Sequence, residues 1–260
     1  MTLANEVWLS ALDRAAYHYD YISSPRKQKV KELLNYTYEL PMNEPVVTHA
    51  GRNLNYPFMF AEAAWILSGR NDLEFIMPYM KNYQQFSDDG FSLNGAYGPK
   101  LIDQLSWAAE ELYQDPDSRR CYINIWRERP GPSKDIPCTT GLQFILRNGE
   151  LNLIVNMRSQ DAVWGMPYDM FTFSAIGKYM QVYLWMVKNF GVGLGKLYVR
   201  AGSFHIYERH FDDTETWLET TEENNANKAY FKACSCLNPQ DFISNLVRAA
   251  QHSKGRQVSK

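Results

Sequence analysis

The sequence predicts an α/β fold, of the α+β kind, in which helices pack against a sheet. Its 260 residues are 45% hydrophobic, enough for one sizeable core, so a single domain is expected over residues 1–260. Two β-rich runs, 142–146 and 151–155, flank the dipeptide Asn148-Gly149, which is typical of a hairpin turn. Longer segments repeat apolar residues with the period of a helix.

The first half of the chain alternates these two patterns. Residues 6–21 have apolar side chains on one side at helical spacing, which predicts a packing helix. Residues 36–40 and 45–48 resemble short strands around a Met-Asn-Glu turn. Residues 56–67 are apolar all round, as expected of a buried helix. Residues 101–112 again have helical spacing.

The second half continues with a strand, a core helix and a further strand. Residues 121–126 are predicted to form a strand ahead of the hairpin. Residues 170–187 are mostly aromatic or apolar, which favours a central helix. Residues 197–200 are predicted to form a strand that leads into the segment after Gly202. The charged tail, 212–260, contains one further candidate helix, which begins at Pro239 and covers residues 239–250.

Composition excludes several classes of function. The net charge of −2 offers no basic field for nucleic acid, so neither DNA nor RNA is an expected partner. No leader and no long apolar run is present, so we expect a cytoplasmic protein that does not enter a membrane. The four cysteines have no metal-type spacing, which predicts reduced thiols and no metal site; they are Cys121, Cys138, Cys234 and Cys236.

The hairpin gives Cys138 a chemical context. Pairing of the two strands brings the start of the first, at Cys138, near the end of the second, at Arg158. A nearby cation lowers the pKa of a cysteine toward neutrality and thus favours the nucleophilic thiolate. The alternative is a buried structural cysteine beside a surface arginine.

Two other charged residues have unusual positions. Glu62 is the one charge in the apolar segment 56–67, so desolvation should raise its pKa; the alternative is a structural salt bridge. Arg26 belongs to a turn-prone basic loop, which by pattern alone is a solvated charge cluster.

Three motifs follow one another along the chain. They are Pro137-Cys138, the segment Arg158-Ser159-Gln160-Asp161 followed by Gly165, Pro167 and Tyr168, and the segment 202–207 with its His205 and Tyr207. In this order they resemble the motifs of the thymidylate synthases. Within that superfamily the chain is most similar to phage-type deoxycytidylate hydroxymethylases. The resemblance covers roughly residues 20–212 and weakens in the tail, 212–260. It implies a thymidylate synthase-like fold with a large mixed sheet.

The resemblance also implies a role for each site residue. It makes Cys138 the nucleophile, Glu62 the group that orders water, and Asp169 and Tyr97 further catalytic residues. It makes Asp161 and Tyr83 contacts of 5,10-methylenetetrahydrofolate, the expected co-substrate. The implied homodimer holds a pyrimidine nucleoside monophosphate, with Arg119 and Arg120 reaching the neighbour's phosphate; the substrate-binding residues are Arg26, Arg119, Arg120, Arg158, Ser159, Asp169, His205 and Tyr207.

Two departures from the synthase pattern bear on the product. Tyr83 and Phe86 stand where synthases have tryptophans, one of which packs the folate before hydride transfer. The tail also lacks the short apolar terminus that closes the synthase site. Water rather than hydride is therefore expected to capture the exocyclic methylene, which gives a hydroxymethyl group.

Asp169 stands where thymidylate synthases have an asparagine. An ionised aspartate only accepts hydrogen bonds, which suits the 4-amino group of cytosine. Asparagine also donates and suits uracil. The expected activity is therefore transfer of a hydroxymethyl group to carbon 5 of a cytidine monophosphate, with the deoxynucleotide favoured and the ribonucleotide as runner-up. The alternatives are a thymidylate synthase or deoxyuridylate hydroxymethylase, and a binding protein without catalysis.

Overall fold

A computed structural model describes residues 1–126, 131–224 and 238–257 of the chain. Its strands are β1 (Tyr21–Ser23), β2 (Val30–Pro41), β3 (Tyr122–Asn124), β4 (Thr139–Arg147), β5 (Glu150–Asp161) and β6 (Gly193–Tyr207). They form one sheet in the order β1-β2-β6-β5-β4-β3. The β5–β6 pair is parallel and the other pairs are antiparallel. The predicted α/β fold with a large mixed sheet is confirmed.

Helices pack around this sheet. They are α1 (Leu3–Tyr17), α2 (Tyr56–Leu67), α3 (Leu73–Ile76), α4 (Gly98–Gln114), α5 (Met166–Lys188), α6 (Phe211–Glu219) and α7 (Pro239–Gln257). Helix α2 has the predicted bounds and is buried nearly all round, because α4, α5 and α7 all contact it. Among the described residues, no helix is both long and apolar enough to cross a membrane.

The hairpin between β4 and β5 has the predicted register. Leu142 pairs with Val155, and the strands close at Arg147 and Glu150. Asn148 and Gly149 have φ values of 53° and 76°, so both turn residues adopt the left-handed region. Two such residues are what a tight hairpin with a right-handed strand twist requires. The Asn-Gly dipeptide therefore sets the register that places Cys138 and Arg158 at the same end.

The strict alternation of buried and exposed side chains shifts by one residue in the middle of the sheet. Along β5 the buried positions are odd-numbered as far as Met157, and the next fully buried side chain is Gln160. Along β6 they are odd-numbered as far as Ala201, and burial then passes to Phe204. A strand of strict period 2 would have left Gln160 on the other face.

The shift occurs where three strands lie side by side. Asn35 of β2, at φ 55°, and Arg158 of β5 flank Gly202 of β6, and the register on both sides skips this point. A Cβ on Gly202 would lie 3.1 Å from the carbonyl oxygen of Arg158, so the close approach favours glycine. After the aligned irregularity, burial passes to Gln160 and Phe204.

The main differences from the predictions concern two boundaries and one strand. The first helix ends at Tyr17 rather than 21, and β2 extends over Val30–Pro41 rather than 36–40. The predicted strand at 45–48 is wrong, because the backbone amides of Thr48 and His49 bind Oδ1 of Asn5, at 2.8 and 3.2 Å, instead of a neighbouring strand.

Two further outcomes concern the end of the chain. The predicted tail helix is present and extends to Gln257. Cys234 and Cys236 lie outside the described residues.

Candidate active site

Cys138 lies immediately before β4, in contact with the end of β5. Its carbonyl oxygen accepts a hydrogen bond from the backbone amide of Arg158 at 2.8 Å. The guanidinium of Arg158 in turn donates to the carbonyl oxygens of Pro137, at 3.1 Å, and Ile136, at 2.8 Å. Trp126 also donates to the Pro137 carbonyl, at 3.0 Å. The segment that presents the thiol is therefore held by side chains on both sides.

The thiol is partly buried, and burial and the nearby arginines act on its pKa in opposite directions. Burial raises the pKa of Cys138 above its ordinary value, and the charge of Arg158 lowers it by less. Arg26 acts in the same direction as Arg158. The expected fall of the Cys138 pKa toward neutrality is therefore wrong for the protein alone, because desolvation outweighs the cations. Cys121, the other described cysteine, is fully buried, and burial raises its pKa to about 12.

Glu62 projects from α2 toward the same region. Burial raises the pKa of Glu62 to about 7. Its Oε1 accepts a hydrogen bond from the hydroxyl of Tyr83, and its Oε2 accepts one from Thr172 at 3.5 Å. No ion pair to Glu62 is found in the described part of the chain, which disfavours a structural salt bridge. Glu62 can therefore exchange a proton near neutral pH.

Asp169 lies in the first turn of α5. Burial raises the pKa of Asp169 to about 8, and the carboxylates of Glu62 and Asp161 act in the same direction. Its Oδ2 accepts a hydrogen bond from Nε2 of Gln160 at 2.9 Å, which opposes the shift. At neutral pH Asp169 is therefore mostly a neutral acid, so the prediction of an ionised aspartate is wrong for the protein alone.

Two tyrosines interact electrostatically with these groups. Tyr97, at the start of α4, is partly buried, and its pKa rises well above the ordinary value because of burial and the charges of Cys138 and Asp169. The pKa of Tyr83 rises in the same way through burial and the charge of Glu62, with smaller contributions from Tyr97 and Asp169. The thiol, two acids and two phenols therefore interact electrostatically.

His205 and Tyr207 lie near the end of β6. Their rings meet edge to face with centroids 4.9 Å apart. Burial lowers the pKa of His205, although the charges of Asp161 and Glu32 oppose this shift. His205 is therefore mostly neutral at neutral pH and can offer one donor and one acceptor. The hydroxyl of Ser203 donates to Glu32 on the neighbouring strand.

Asp161 ends β5 beside an exposed indole. Its Oδ1 accepts the backbone amides of Val163, at 2.8 Å, and Trp164, at 3.2 Å. Trp164 is 46% exposed and stacks on Arg52, with 5.1 Å from the guanidinium carbon to the ring centroid. The half-exposed indole of Trp164 therefore offers a flat surface next to the Asp161 carboxylate.

The predicted phosphate-binding arginines fall into two groups. Arg26 lies in a short 3-10 turn after β1 and Arg158 at the end of β5; both act on the Cys138 thiol. Arg119 and Arg120 lie before β3 and are exposed; Arg120 is bound to Glu111 at 2.8 Å. Within the described residues neither Arg119 nor Arg120 contacts Cys138, Glu62 or Asp169. Ser159 follows Arg158 and pairs with Ser203 in the β5–β6 register.

Sequence reasoning assigned no role to several residues of this group, among them Gln160 and Thr172. Gln160 is 2% exposed and joins Asp169 to the hydroxyl of Tyr38, at 3.0 Å. Its place inside the segment Arg158–Asp161 was a signal, but strict alternation placed it away from the core. Thr172 lies three residues after Asp169 on α5, so helical spacing alone puts both on one face. The described residues hold no cluster of three or more His, Cys, Asp or Glu suited to a metal.

The fold and this group of residues define a class of α/β protein in which a partly buried cysteine lies near two partly buried acids, with two arginines acting on the thiol. The family model described as thymidylate synthase matches residues 23–242, and the chain belongs to that family. Curated relatives include two deoxyuridylate hydroxymethyltransferases. The protein of Bacillus phage SP01 is 35% identical over 208 residues, which cover 72% of this chain and 52% of the relative.

The second relative, from Pseudomonas phage M6, is 31% identical over 175 residues, which cover 64% of this chain and 48% of the relative. The chain thus spans about half the length of the curated relatives it matches.

Proposed function

We propose that this protein transfers a one-carbon unit from 5,10-methylenetetrahydrofolate to carbon 5 of a cytidine monophosphate, with the deoxynucleotide favoured, and that water completes a hydroxymethyl group. The observation that supports the proposal is that Asp169 interacts electrostatically both with the Cys138 thiol and with Glu62. The overall reaction joins nucleotide, methylenetetrahydrofolate and water, and yields the 5-hydroxymethyl nucleotide and tetrahydrofolate.

Cys138 is the proposed nucleophile. Carbon 5 of a pyrimidine attacks poorly until a nucleophile adds at carbon 6, where the Cys138 thiolate would form a carbon–sulfur bond. In the free protein the pKa of Cys138 is raised, so the thiol form is favoured. When substrate is bound, the neighbouring arginines must therefore stabilise the thiolate. Arg158 supports that role, since its guanidinium and the segment that carries the thiol are directly bonded.

The proposed role of Asp169 is to transfer a proton to cytosine. Addition at carbon 6 of cytosine builds negative charge on ring nitrogen 3, which has a lone pair and no hydrogen. A neutral carboxylic acid with a pKa of about 8 can deliver a proton there, whereas an asparagine cannot. Uracil already carries a hydrogen on nitrogen 3. Recognition of cytosine thus depends on the neutral acid and not on the ionised aspartate predicted from the sequence.

The folate co-substrate would supply the one-carbon unit at the oxidation level of formaldehyde. Trp164 and Asp161 offer a flat apolar surface and a hydrogen-bond acceptor for its ring system. Glu62 would hold the water that adds to the exocyclic methylene. Tyr83 supports water capture, since it places a hydroxyl group against Glu62, in the position where the synthases have a tryptophan.

The remaining residues would bind the nucleotide. Arg26, Arg158 and Ser159 suit the phosphate, since guanidinium groups bind phosphate oxygens in pairs. His205 and Tyr207 suit a sugar hydroxyl. Arg119 and Arg120 are exposed and, within the described residues, contact none of Cys138, Glu62 and Asp169, so we assign them to the partner's phosphate in a homodimer.

A second candidate is hydroxymethylation of deoxyuridylate. Both relatives carry that activity in their names. A neutral Asp169 can also serve uracil, since it donates to the 4-oxo group and accepts from the nitrogen 3 hydrogen. The two candidates share every step except the recognition of the base.

Product analysis separates the candidates. The protein would be incubated with methylenetetrahydrofolate and each of four monophosphates (uridine or cytidine, ribo or deoxy), and the products weighed by mass spectrometry in ¹⁸O water. The proposal expects deoxycytidylate to gain one CH₂O unit with solvent oxygen and no dihydrofolate absorbance. Turnover of deoxyuridylate alone would select the second candidate, a methyl product with dihydrofolate would indicate a synthase, and no turnover of any nucleotide would indicate a binding protein.

A further inference from the structure

Gln160 is a buried polar side chain between the sheet and α5. Its Nε2 donates two hydrogen bonds, one to Oδ2 of Asp169 at 2.9 Å and one to the hydroxyl of Tyr38 at 3.0 Å. Its Oε1 is fully buried and has no hydrogen-bond partner in the described part of the chain. The amide nitrogen therefore faces Asp169 and Tyr38, and the amide oxygen faces away from both.

This contact assigns different roles to the two oxygens of Asp169. An N–H donor requires a lone pair, so the oxygen that Gln160 contacts, Oδ2, is the acceptor. Oδ1 takes part in none of the hydrogen bonds found among the described residues. When Asp169 is neutral, its proton therefore resides on Oδ1, and the carboxyl presents one fixed acceptor beside one fixed donor.

Pyrimidine bases differ in the order of these groups. Cytosine presents an acceptor at ring nitrogen 3 and a donor at the 4-amino group. Uracil presents a donor at ring nitrogen 3 and an acceptor at the 4-oxo group. A carboxyl group whose proton is held on one oxygen matches one base and opposes the other at both positions. A carboxyl group free to carry its proton on either oxygen would match both.

We propose that Gln160 is a specificity-determining residue that selects the base by holding Oδ2 of Asp169 as the acceptor. The inference rests on the proposed function in one respect, namely that Asp169 faces the base. It applies whether the preferred base is cytosine or uracil. For cytosine, Oδ2 would accept from the 4-amino group and Oδ1 would donate to nitrogen 3.

The test replaces Gln160 by Met, which has a similar length and no donor. The kcat/KM values for deoxycytidylate and deoxyuridylate are measured for both proteins, together with the dissociation constant of each nucleotide without folate. The ratio of the two kcat/KM values is expected to fall toward one by at least about tenfold, mainly through a gain with the disfavoured base.

Phe204→Leu is the matched control. Phe204 pairs with Gln160 in the β5–β6 register and stacks on Tyr36 at 4.6 Å, so the change loosens the same part of the core and leaves the amide in place. This variant should lose thermal stability and keep the wild-type base ratio. Equal losses of selectivity in both variants would mean that packing, and not the Gln160 donor, is responsible.

The outcomes distinguish this inference from the proposed function. A folded Gln160→Met protein with an unchanged base ratio overturns the inference, even if the wild type hydroxymethylates cytidylate as proposed. If Gln160→Met has no turnover, the dissociation constants of the two nucleotides are compared instead. An unchanged ratio of these constants overturns the inference in the same way. A wild type that turns over neither nucleotide refutes the proposed function, and the binding ratio still tests the role of Gln160.

Discussion

The hydroxyl of Tyr83 donates a hydrogen bond to Oε1 of Glu62. The phenol projects from a short 3-10 helix, Lys81–Phe86, and its ring packs edge to face on Phe58 with centroids 5.5 Å apart. A donor to a carboxylate stabilises the ionised form and so limits the rise in pKa that burial causes. Tyr83 thus both orients Glu62 and keeps its pKa near neutrality.

Tyr83→Phe should shift the pH profile of turnover. Loss of the donor raises the pKa of Glu62 further above 7, so the ionised form appears only at higher pH. The limb of kcat that depends on ionised Glu62 should move to higher pH, with turnover at pH 7 reduced by roughly 5- to 100-fold. Phe86→Leu, on the same helix and 37% exposed, is the control and should keep the wild-type profile. Superimposable profiles for Tyr83→Phe and wild type would exclude a role of Tyr83 in the protonation of Glu62.

Arg158→Ala should slow alkylation of Cys138. The guanidinium lowers the pKa of this thiol against the effect of burial, so its loss reduces the thiolate fraction at any given pH. The rate of iodoacetamide labelling at Cys138, followed by peptide mass spectrometry from pH 7 to pH 10, should reach its half-maximum at higher pH than in wild type. Arg158→Lys keeps a charge and should show a smaller shift. Identical profiles in all three proteins would mean that Arg158 has only a structural role.

Asp169→Asn should separate binding from turnover. Asparagine keeps one acceptor and one donor, so the affinity for deoxycytidylate should change little. It cannot release a proton to ring nitrogen 3, and kcat for deoxycytidylate should therefore fall by about 10²- to 10⁴-fold. Deoxyuridylate does not need this proton, so the ratio of kcat/KM values should shift toward uracil by at least about tenfold. A variant that retains wild-type turnover of deoxycytidylate would remove the main support for the cytosine assignment.

The same substitution should stabilise the protein in a pH-dependent way. The pKa of Asp169 is raised from 3.8 to about 8, so the folded state keeps a proton that the unfolded chain releases. Its contribution to stability is complete below pH 4 and is lost as pH rises through 8. The gain from Asp169→Asn should therefore grow between pH 4 and pH 8 by at most about 1.4 kcal/mol per pH unit, then level off. Urea denaturation from pH 5 to pH 9 measures it, with Asp117→Asn, at a 95% exposed side chain, as the control; a gain that is flat with pH would contradict the raised pKa.

Mixed dimers test the proposed exchange of arginines. Arg119→Ala with Arg120→Ala should inactivate the protein, and so should Cys138→Ala. If the arginines act on the partner's phosphate, a mixture of the two should regain roughly a quarter of wild-type activity, since half the dimers then have one complete site. The absence of any regain in dimers shown to exchange would mean that each subunit uses its own arginines.

Local patterns predicted much of the fold because they depend on neighbouring residues. Helix α2 was predicted at its observed bounds, since an all-apolar segment introduced by Asn55 and Pro57 has few alternatives. The Asn148-Gly149 turn likewise determined the hairpin register. The predicted strand at 45–48 was wrong because its amides bind the distant side chain of Asn5, a contact that no local pattern contains.

The sequence by itself determined the family motifs, most of the longer helices and strands, and the meeting of Cys138 with Arg158 at one end of the hairpin. Only the tertiary structure decided the form of Asp169 and the place of Gln160. The pKa of a carboxyl group depends on how completely surrounding elements exclude water, and α5, β5 and α2 supply that burial from distant parts of the chain. Gln160 reaches Asp169 because three strands change their alternation together at Asn35, Arg158 and Gly202, a cooperative feature of the sheet that period-2 reasoning on one strand does not contain.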